Sequence, residues 1–219
     1  MSPRRRLLLA GLLSPLAATL PLPAHAGAQK EEPLADAVRS ALSAAIANSA
    51  PPKPAFDTIE ARLAYLRWLG AMSTRLQRRK AEHITRVEFL ETIWYESKRA
   101  GLEPALVLGL VQVESGFRKY AISSAGARGY MQVMPFWTRL IGSADHNLFH
   151  LRTNLRYGCV ILRHYIDREG GDLYRALGRY NGSLGRSEYP GAVLAAMQRY
   201  ATAAMPVTLG ASVAIAPLR

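Results

Sequence analysis

The sequence predicts a mainly α-helical protein. Apolar residues recur every three or four positions in several windows, helix-capping residues flank those windows, and no stretch shows the strict alternation of a half-buried strand. With 219 residues, 49% of them apolar and 20% charged, the chain has the composition of a folded domain and the length for one sizeable core.

The first 26 residues are expected to lie outside that fold. Arg4, Arg5 and Arg6 precede an apolar run from Leu7 to about Leu20, and Ala24-His25-Ala26 offers an A-x-A cleavage site. This pattern predicts export to the periplasm with a mature start near Gly27. The run is too short for a membrane span and is broken by Pro15 and Pro21, so no span is expected in the mature protein. The consecutive arginines leave the twin-arginine route open beside the general one.

The formal charge is +12, and removing residues 1–26 takes away three arginines and no acid. Such an excess favours a polyanionic partner: cell wall, membrane surface or nucleic acid. The densest basic stretch, Arg75, Arg78, Arg79 and Lys80, falls at the end of a predicted helix, where it complements the helix dipole. Cys159 is the only cysteine, so stability must come from packing, and its place on an apolar helix face predicts a core residue.

Residues 27–56 are rich in Ala and Pro and form a linker or N-terminal arm. Within it, 34–47 has weak helical periodicity, isolated by Pro51, Pro52 and Pro54. Residues 57–99 are expected to be a helical extension packed on the main domain. Asp57 and Glu60 have capping-box spacing, with Ile59, Leu63, Leu66, Leu69, Met72 and Leu76 as the apolar face. Thr85 and Glu88 repeat that spacing, Ile84 and Phe89 are placed as a hydrophobic staple, and Gly101 closes the second helix.

Residues 100–203 form the expected main domain. Pro104 opens a helix that is apolar on nearly every side up to Glu114, as befits a central helix. Ser123 to Tyr130 is a compact loop of small residues, and Met131–Met134 is short and either extended or helical. A helix follows from Thr153 to Glu169, ended by Gly170-Gly171. Another, capped by Asp172, runs to about Tyr180. Pro190 starts the last helix and Pro206 stops it, leaving 204–219 as a tail.

Glu114 is the acid that stands out. It sits in the last turn of an apolar helix, with Gly116 as a C-terminal cap, and both burial and the negative end of the helix dipole disfavour its carboxylate. An unperturbed Glu is protonated only ~0.2% of the time at pH 7, whereas a pKa raised to about 6 gives ~10%. A general acid needs that gain. Position alone leaves fraying into solvent, or pairing with Arg118 or Arg128, equally open.

The residues after Glu114 narrow the choice. Glu114-Ser115-Gly116-Phe117 is succeeded by Ala121, Ser123, Gly126-Ala127 and Gly129-Tyr130-Met131-Gln132-Val133-Met134-Pro135. This stretch resembles the catalytic segment of the soluble lytic transglycosylases, which reads E-S-x-F, A-x-S-x-x-G-A-x-G-L-M-Q, then a hydrophobic residue, M and P. Asn154-Leu155 with Gly158 resembles the family's N-[IL]-x-x-G helix, and Ala176 to Gly182 resembles its A-L-x-x-Y-N-x-G segment. The resemblance spans about residues 100–203. Tyr130 stands where the family usually has Leu, and Gly182-Ser183 where it usually has Ala-Gly.

The resemblance implies a lysozyme-like (goose-type-like) single catalytic domain and cleavage of peptidoglycan glycan strands. Glu114 would protonate the oxygen between N-acetylmuramic acid and N-acetylglucosamine. It would then take the proton of the muramic C6 hydroxyl, which closes a 1,6-anhydro end. From Ser115 to Ala144 there is no Asp or Glu, in keeping with a single acid/base; Asp145, Asp167 and Glu169 come next. Ser115, Ser123, Tyr130, Gln132, Met134, Tyr180 and Asn181 are the implied substrate-binding residues, and Phe117 a buttress for the turn that aims Glu114.

His83, His146, His150 and His164 lack metal-ligand spacing, so neither metal nor other cofactor is expected. Peptidoglycan strands are the expected partner, nucleic acid is not, and a secretion or cell-wall machinery remains an open association. Two rival functions stand beside the lyase. One is a hydrolytic muramidase using water and a second carboxylate; the other is a non-catalytic wall-binding protein.

Overall fold

A computed structural model describes residues 53–202, and within them the architecture is all-helical. The first helix is α1 (Ile59–Leu76), followed by α2 (His83–Arg99) and α3 (Pro104–Ser115). The short α4 (Phe136–Ile141) and the long α5 (Leu151–Arg168) come next, then α6 (Leu173–Asn181) and α7 (Glu188–Gln198). Extended pairing is limited to two isolated bridges, Ile122 with Arg128 and Arg128 with Val133, and no described residue belongs to a strand. The mainly α expectation holds. Residues 1–52 and 203–219, where the expected export signal, most of the expected arm and the expected stop at Pro206 fall, lie outside the described residues.

Helix α3 is the centre of the core. Leu106, Val107, Leu108, Leu110 and Val111 are all buried, as its all-round apolar sequence requires. It lies tight against α7. A Cβ added to Gly109 would stand 2.6 Å from the Met197 nitrogen, so the two backbones approach closer than any side chain allows. Gly109 meets Val193 and Met197, while Glu114, further along, meets Tyr189. The reversed order means that the helices run antiparallel. The last turn of α3 therefore faces the first turn of α7.

Several expected details move. The cap of α1 is Thr58, whose hydroxyl accepts from Ala61 N–H at 3.1 Å, rather than Asp57. Its buried residues are Tyr65, Trp68, Met72 and Leu76, while Ile59, Leu63 and Leu66 are 74%, 44% and 48% exposed. The period was right and the face was right in part: Met72 and Leu76 are buried as expected, but Trp68 and Tyr65 have the larger apolar area and take the place of Ile59, Leu63 and Leu66, packing against Trp94 of α2 with ring centroids at 4.8 and 5.1 Å.

Helix α2 starts before its expected Thr85 cap. The Glu82 carboxylate accepts from the amides of Ile84 and Thr85, and Ile84 is exposed, so no staple forms there. Helix α5 begins at Leu151 and not Thr153, α7 begins two residues before Pro190, and α4 was not foreseen. Pro104 opens α3, Gly101 follows the end of α2, and Asp172 caps α6 through the Arg175 amide, as expected. Cys159 is buried, and burial raises its thiol pKa well above the usual range, which makes it an inert core residue.

A buried charge cluster ties α2 to α5. Glu96 accepts two bonds from Arg156, at 2.5 and 2.8 Å, and one from Arg152 at 3.3 Å. Its side chain is fully buried, and nothing in the sequence pattern singled it out.

Candidate active site

Glu114 occupies the last turn of α3 and is 7% exposed. Burial raises its pKa to about 8, against 4.5 for the free side chain, and the hydrogen bond from Tyr189 pulls in the opposite direction. The carboxyl position at the C-terminal end of the helix adds to the upward push. The Tyr189 hydroxyl donates to Glu114 Oε1 at 2.5 Å, while Oε2 is buried without a hydrogen-bond partner. One oxygen is thus held and the other uncommitted.

Tyr189 went unnoticed in the sequence because Pro190 beside it signalled only a helix start. Its own pKa is raised well above the usual phenol by burial first, then by the neighbouring Glu114 charge, with Tyr180 contributing. Glu114, Tyr189 and Tyr180 therefore form one cluster on three helices, α3, α7 and α6. No other carboxylate figures among the causes acting on Glu114. Asp145 accepts from the Ser143 hydroxyl, Asp167 pairs with Arg163, and Glu169 pairs with Arg175 and Arg179.

The turn that releases Glu114 into this position is strained. Gly116 caps α3 in the left-handed region at φ 57°, and Phe117 continues there at φ 69°. A bulky residue in that region costs about 1–2 kcal/mol. Phe117 is held there by burial between Phe89 and Tyr200, with ring centroids 5.9 and 6.1 Å away, and by Arg79 over its ring at 5.7 Å. The expected buttress is in place.

The loop after it is sewn from both sides. Ser115 donates its hydroxyl to the carbonyls of Val111 and Tyr130, at 3.1 and 2.8 Å. Gln132, a second left-handed residue at φ 48°, donates its amide to the Ala121 and Gly129 carbonyls. The Ser123 hydroxyl accepts from Ala127 N–H at 3.1 Å. Asn154 accepts from Met131 N–H and donates to the carbonyls of Arg128 and Leu148, each at 2.8 Å. Tyr180 donates to the Met131 carbonyl at 2.8 Å, so both backbone groups of Met131 are fixed by side chains of other helices.

Gly158 completes the clamp. A Cβ there would stand 2.3 Å from Met131 Sδ, which explains the glycine one turn after Asn154. Tyr130 is buried against Phe89 at 4.9 Å, and its hydroxyl accepts from Lys80 at 2.8 Å. Met134 is half-buried at the core edge, and Asn181 is buried beside Tyr180 at the end of α6. Of the expected site residues, Ser115, Ser123, Tyr130, Gln132 and Tyr180 all form hydrogen bonds with the protein's own atoms.

Among the described residues no group of three or more His, Cys, Asp or Glu could hold a metal ion. A surface pocket of about 410 Å³ at the start of α1 is built by other residues, among them Phe56, Ile59 and Arg62.

A buried, proton-holding carboxyl beside a phenol, in a strained and heavily braced turn, has the elements of a general acid/base site. Residues 91–192 match the transglycosylase SLT domain. The match starts within α2, earlier than the boundary expected at residue 100.

The "Transglycosylase" of Enterobacteria phage PRD1 is 34% identical over 49% of this chain and 42% of that protein. The "Membrane-bound lytic murein transglycosylase C" of Actinobacillus pleuropneumoniae serotype 5b is 48% identical over 22% of this chain and 13% of that protein. An X-ray structure of an inactive mutant of the lytic transglycosylase Slt from Pseudomonas aeruginosa aligns at 22% identity and TM-score 0.46, covering 64% of this chain and 29% of that one. The chain spans less than half the length of these relatives.

Proposed function

We propose that this protein is a peptidoglycan lytic transglycosylase with a lysozyme-like catalytic domain. It cuts the β-1,4 bond between N-acetylmuramic acid and N-acetylglucosamine and leaves a 1,6-anhydro end. The observation that carries the reading is Glu114: buried, raised in pKa to about 8, and holding one oxygen free while Tyr189 holds the other. With a pKa near 8, the acid is about 90% protonated at pH 7.

In this reading Glu114 serves both steps in turn. Oε2 gives its proton to the glycosidic oxygen as the bond from the muramic C1 breaks. The carboxylate left behind keeps the Tyr189 hydrogen bond, which favours the charged form. It then takes the proton of the C6 hydroxyl as that oxygen bonds to C1. No water is consumed, and Glu114 ends protonated as it began.

Ser123, Met134 and Asn181 are the residues we assign to sugar contact. Ser115, Tyr130, Gln132 and Tyr180 act through the loop backbone they brace, so that it presents one fixed wall to the strand. Export by way of residues 1–26 and a periplasmic location belong to the same reading. No described helix is long and apolar enough to cross a membrane.

Mass spectrometry of digested sacculi tests the proposal. Anhydro ends are expected, lighter by one water per cut than hydrolytic ends, and they should vanish with Glu114→Gln. Reducing ends instead would make the protein a muramidase. Undigested sacculi, with strands still bound, would make it a wall-binding protein.

A further inference from the structure

The loop leaving α3 carries side chains for which the acid/base chemistry has no use. Tyr120 and Ile122 are 70% and 65% exposed. The Tyr120 ring lies 5.7 Å from that of Phe149, which comes from the separate loop before α5, so the two make one aromatic platform. A cation stands at each end: Lys119 Nζ is 5.3 Å from the Tyr120 centroid, and the Arg128 guanidinium is 5.9 Å from that of Phe149. The bridge between Ile122 and Arg128 holds the two edges in register.

This surface is not neutralised. Neither Lys119 nor Arg128 pairs with an acid among the described residues, and both are exposed. Lys119 stands near enough to Lys80 that, after burial, its charge is a cause of the lowered Lys80 pKa. An anion arriving here would relieve that repulsion. Aromatic faces bounded by two unpaired cations suit an extended chain with carboxylates at intervals and small apolar groups between them. A bare glycan strand offers fewer such charges, and the platform begins five residues past Glu114.

We propose that Lys119, Tyr120, Phe149 and Arg128 form a docking surface for an acidic peptide, the carboxylate-bearing stem peptide of the strand that Glu114 cuts. The ammonium and guanidinium receive the carboxylates, and the two rings receive the alanine-sized side chains between them. The assignment of the peptide rests on the transglycosylase reading above.

The test compares the full chain with a Lys119→Glu/Arg128→Glu double variant on two glycan substrates, one bearing stem peptides and one stripped of them. On peptide-bearing strands KM should rise about tenfold with kcat kept within about twofold, the equivalent of losing roughly 1.4 kcal/mol of binding. Peptide-free strands should be cut equally by both proteins. An equal change on both substrates, or no change on either, overturns the proposal.

A titration with free stem peptide, its carboxyl-amidated form and a single-stranded oligonucleotide, followed by the Tyr120 and Phe149 ring resonances, decides the matter even if no strand is cut. Saturable binding lost on amidation and in the double variant upholds the surface. Absence of peptide binding, binding unaltered in the variant, or a preference for the oligonucleotide refutes it. If the wild type binds peptide yet cuts nothing, the transglycosylase reading falls while the docking surface stands.

Discussion

Tyr189 donates its phenolic proton to Glu114 Oε1 between the antiparallel helices α7 and α3, and this single bond opposes the burial that raises the carboxyl's pKa. The bond is stronger to the carboxylate than to the acid, so it contributes most in the second half of a reaction that needs Glu114 first as acid and then as base.

Tyr189→Phe should therefore push the Glu114 pKa above 8, because the group that favours the charged form is gone. The alkaline limb of kcat/KM against pH is expected to move to higher pH. Turnover should fall about 10–100-fold as the base step loses its support. An alkaline limb that stays put or moves down would contradict the assigned role.

Glu114→Gln should stabilise the fold as it abolishes catalysis. The folded-state pKa is raised, so the favourable contribution is complete below about pH 4.5 and is lost as pH climbs through about 8. The variant carries no such penalty. Its advantage in urea unfolding should grow from pH 5 to 8 and reach at most about 4 kcal/mol. A difference independent of pH would mean that the carboxyl is hydrated in the folded protein.

Asn154→Ala strips two hydrogen bonds from the loop that follows Glu114 and one from Leu148, and leaves the Met131 amide and the Leu148 carbonyl unpaired, while the Arg128 carbonyl keeps its bond from Val133 N–H. A loss of roughly 2–4 kcal/mol in stability is expected from the buried groups left without partners. Turnover should fall under conditions where the variant is still folded, by circular dichroism, because the wall presented to the strand is no longer fixed. Full activity in a folded variant would detach the loop from catalysis.

Glu96→Ala leaves Arg156 buried without the carboxylate that holds it, with Arg156 Nη1 already unpartnered, and takes one partner from Arg152. Thermal or urea unfolding should register about 3–5 kcal/mol of destabilisation, the range for breaking a buried ion pair from one side. A loss below ~1 kcal/mol would mean that water reaches the cluster once the carboxylate is removed.

Local chemistry was legible wherever a residue acts through its own neighbourhood. Pro104, Gly116 and Asp172 mark helix ends because backbone geometry and capping are settled within a few residues. The face of α1 was legible only in part, at Met72 and Leu76. Ile59, Leu63 and Leu66 have helical spacing, but the neighbour that decides which side is buried, Trp94, lies on another helix. The Thr85 cap failed for a related reason: two capping patterns overlap, and the Glu82 carboxylate takes the Thr85 amide first.

The site divides along the same line. Sequence by itself determined the all-helical class, the central apolar helix, and Glu114 at its end followed by a stretch without acids, since all of these are properties of contiguous residues. Only the tertiary structure decided that Glu114 is buried to 7% exposure, that Tyr189, 75 positions away, holds one of its oxygens, and that Asn154 and Tyr180 pin Met131. A pKa is set by what surrounds a group in space. For Glu114 those surroundings arrive from α6 and α7, far along the chain.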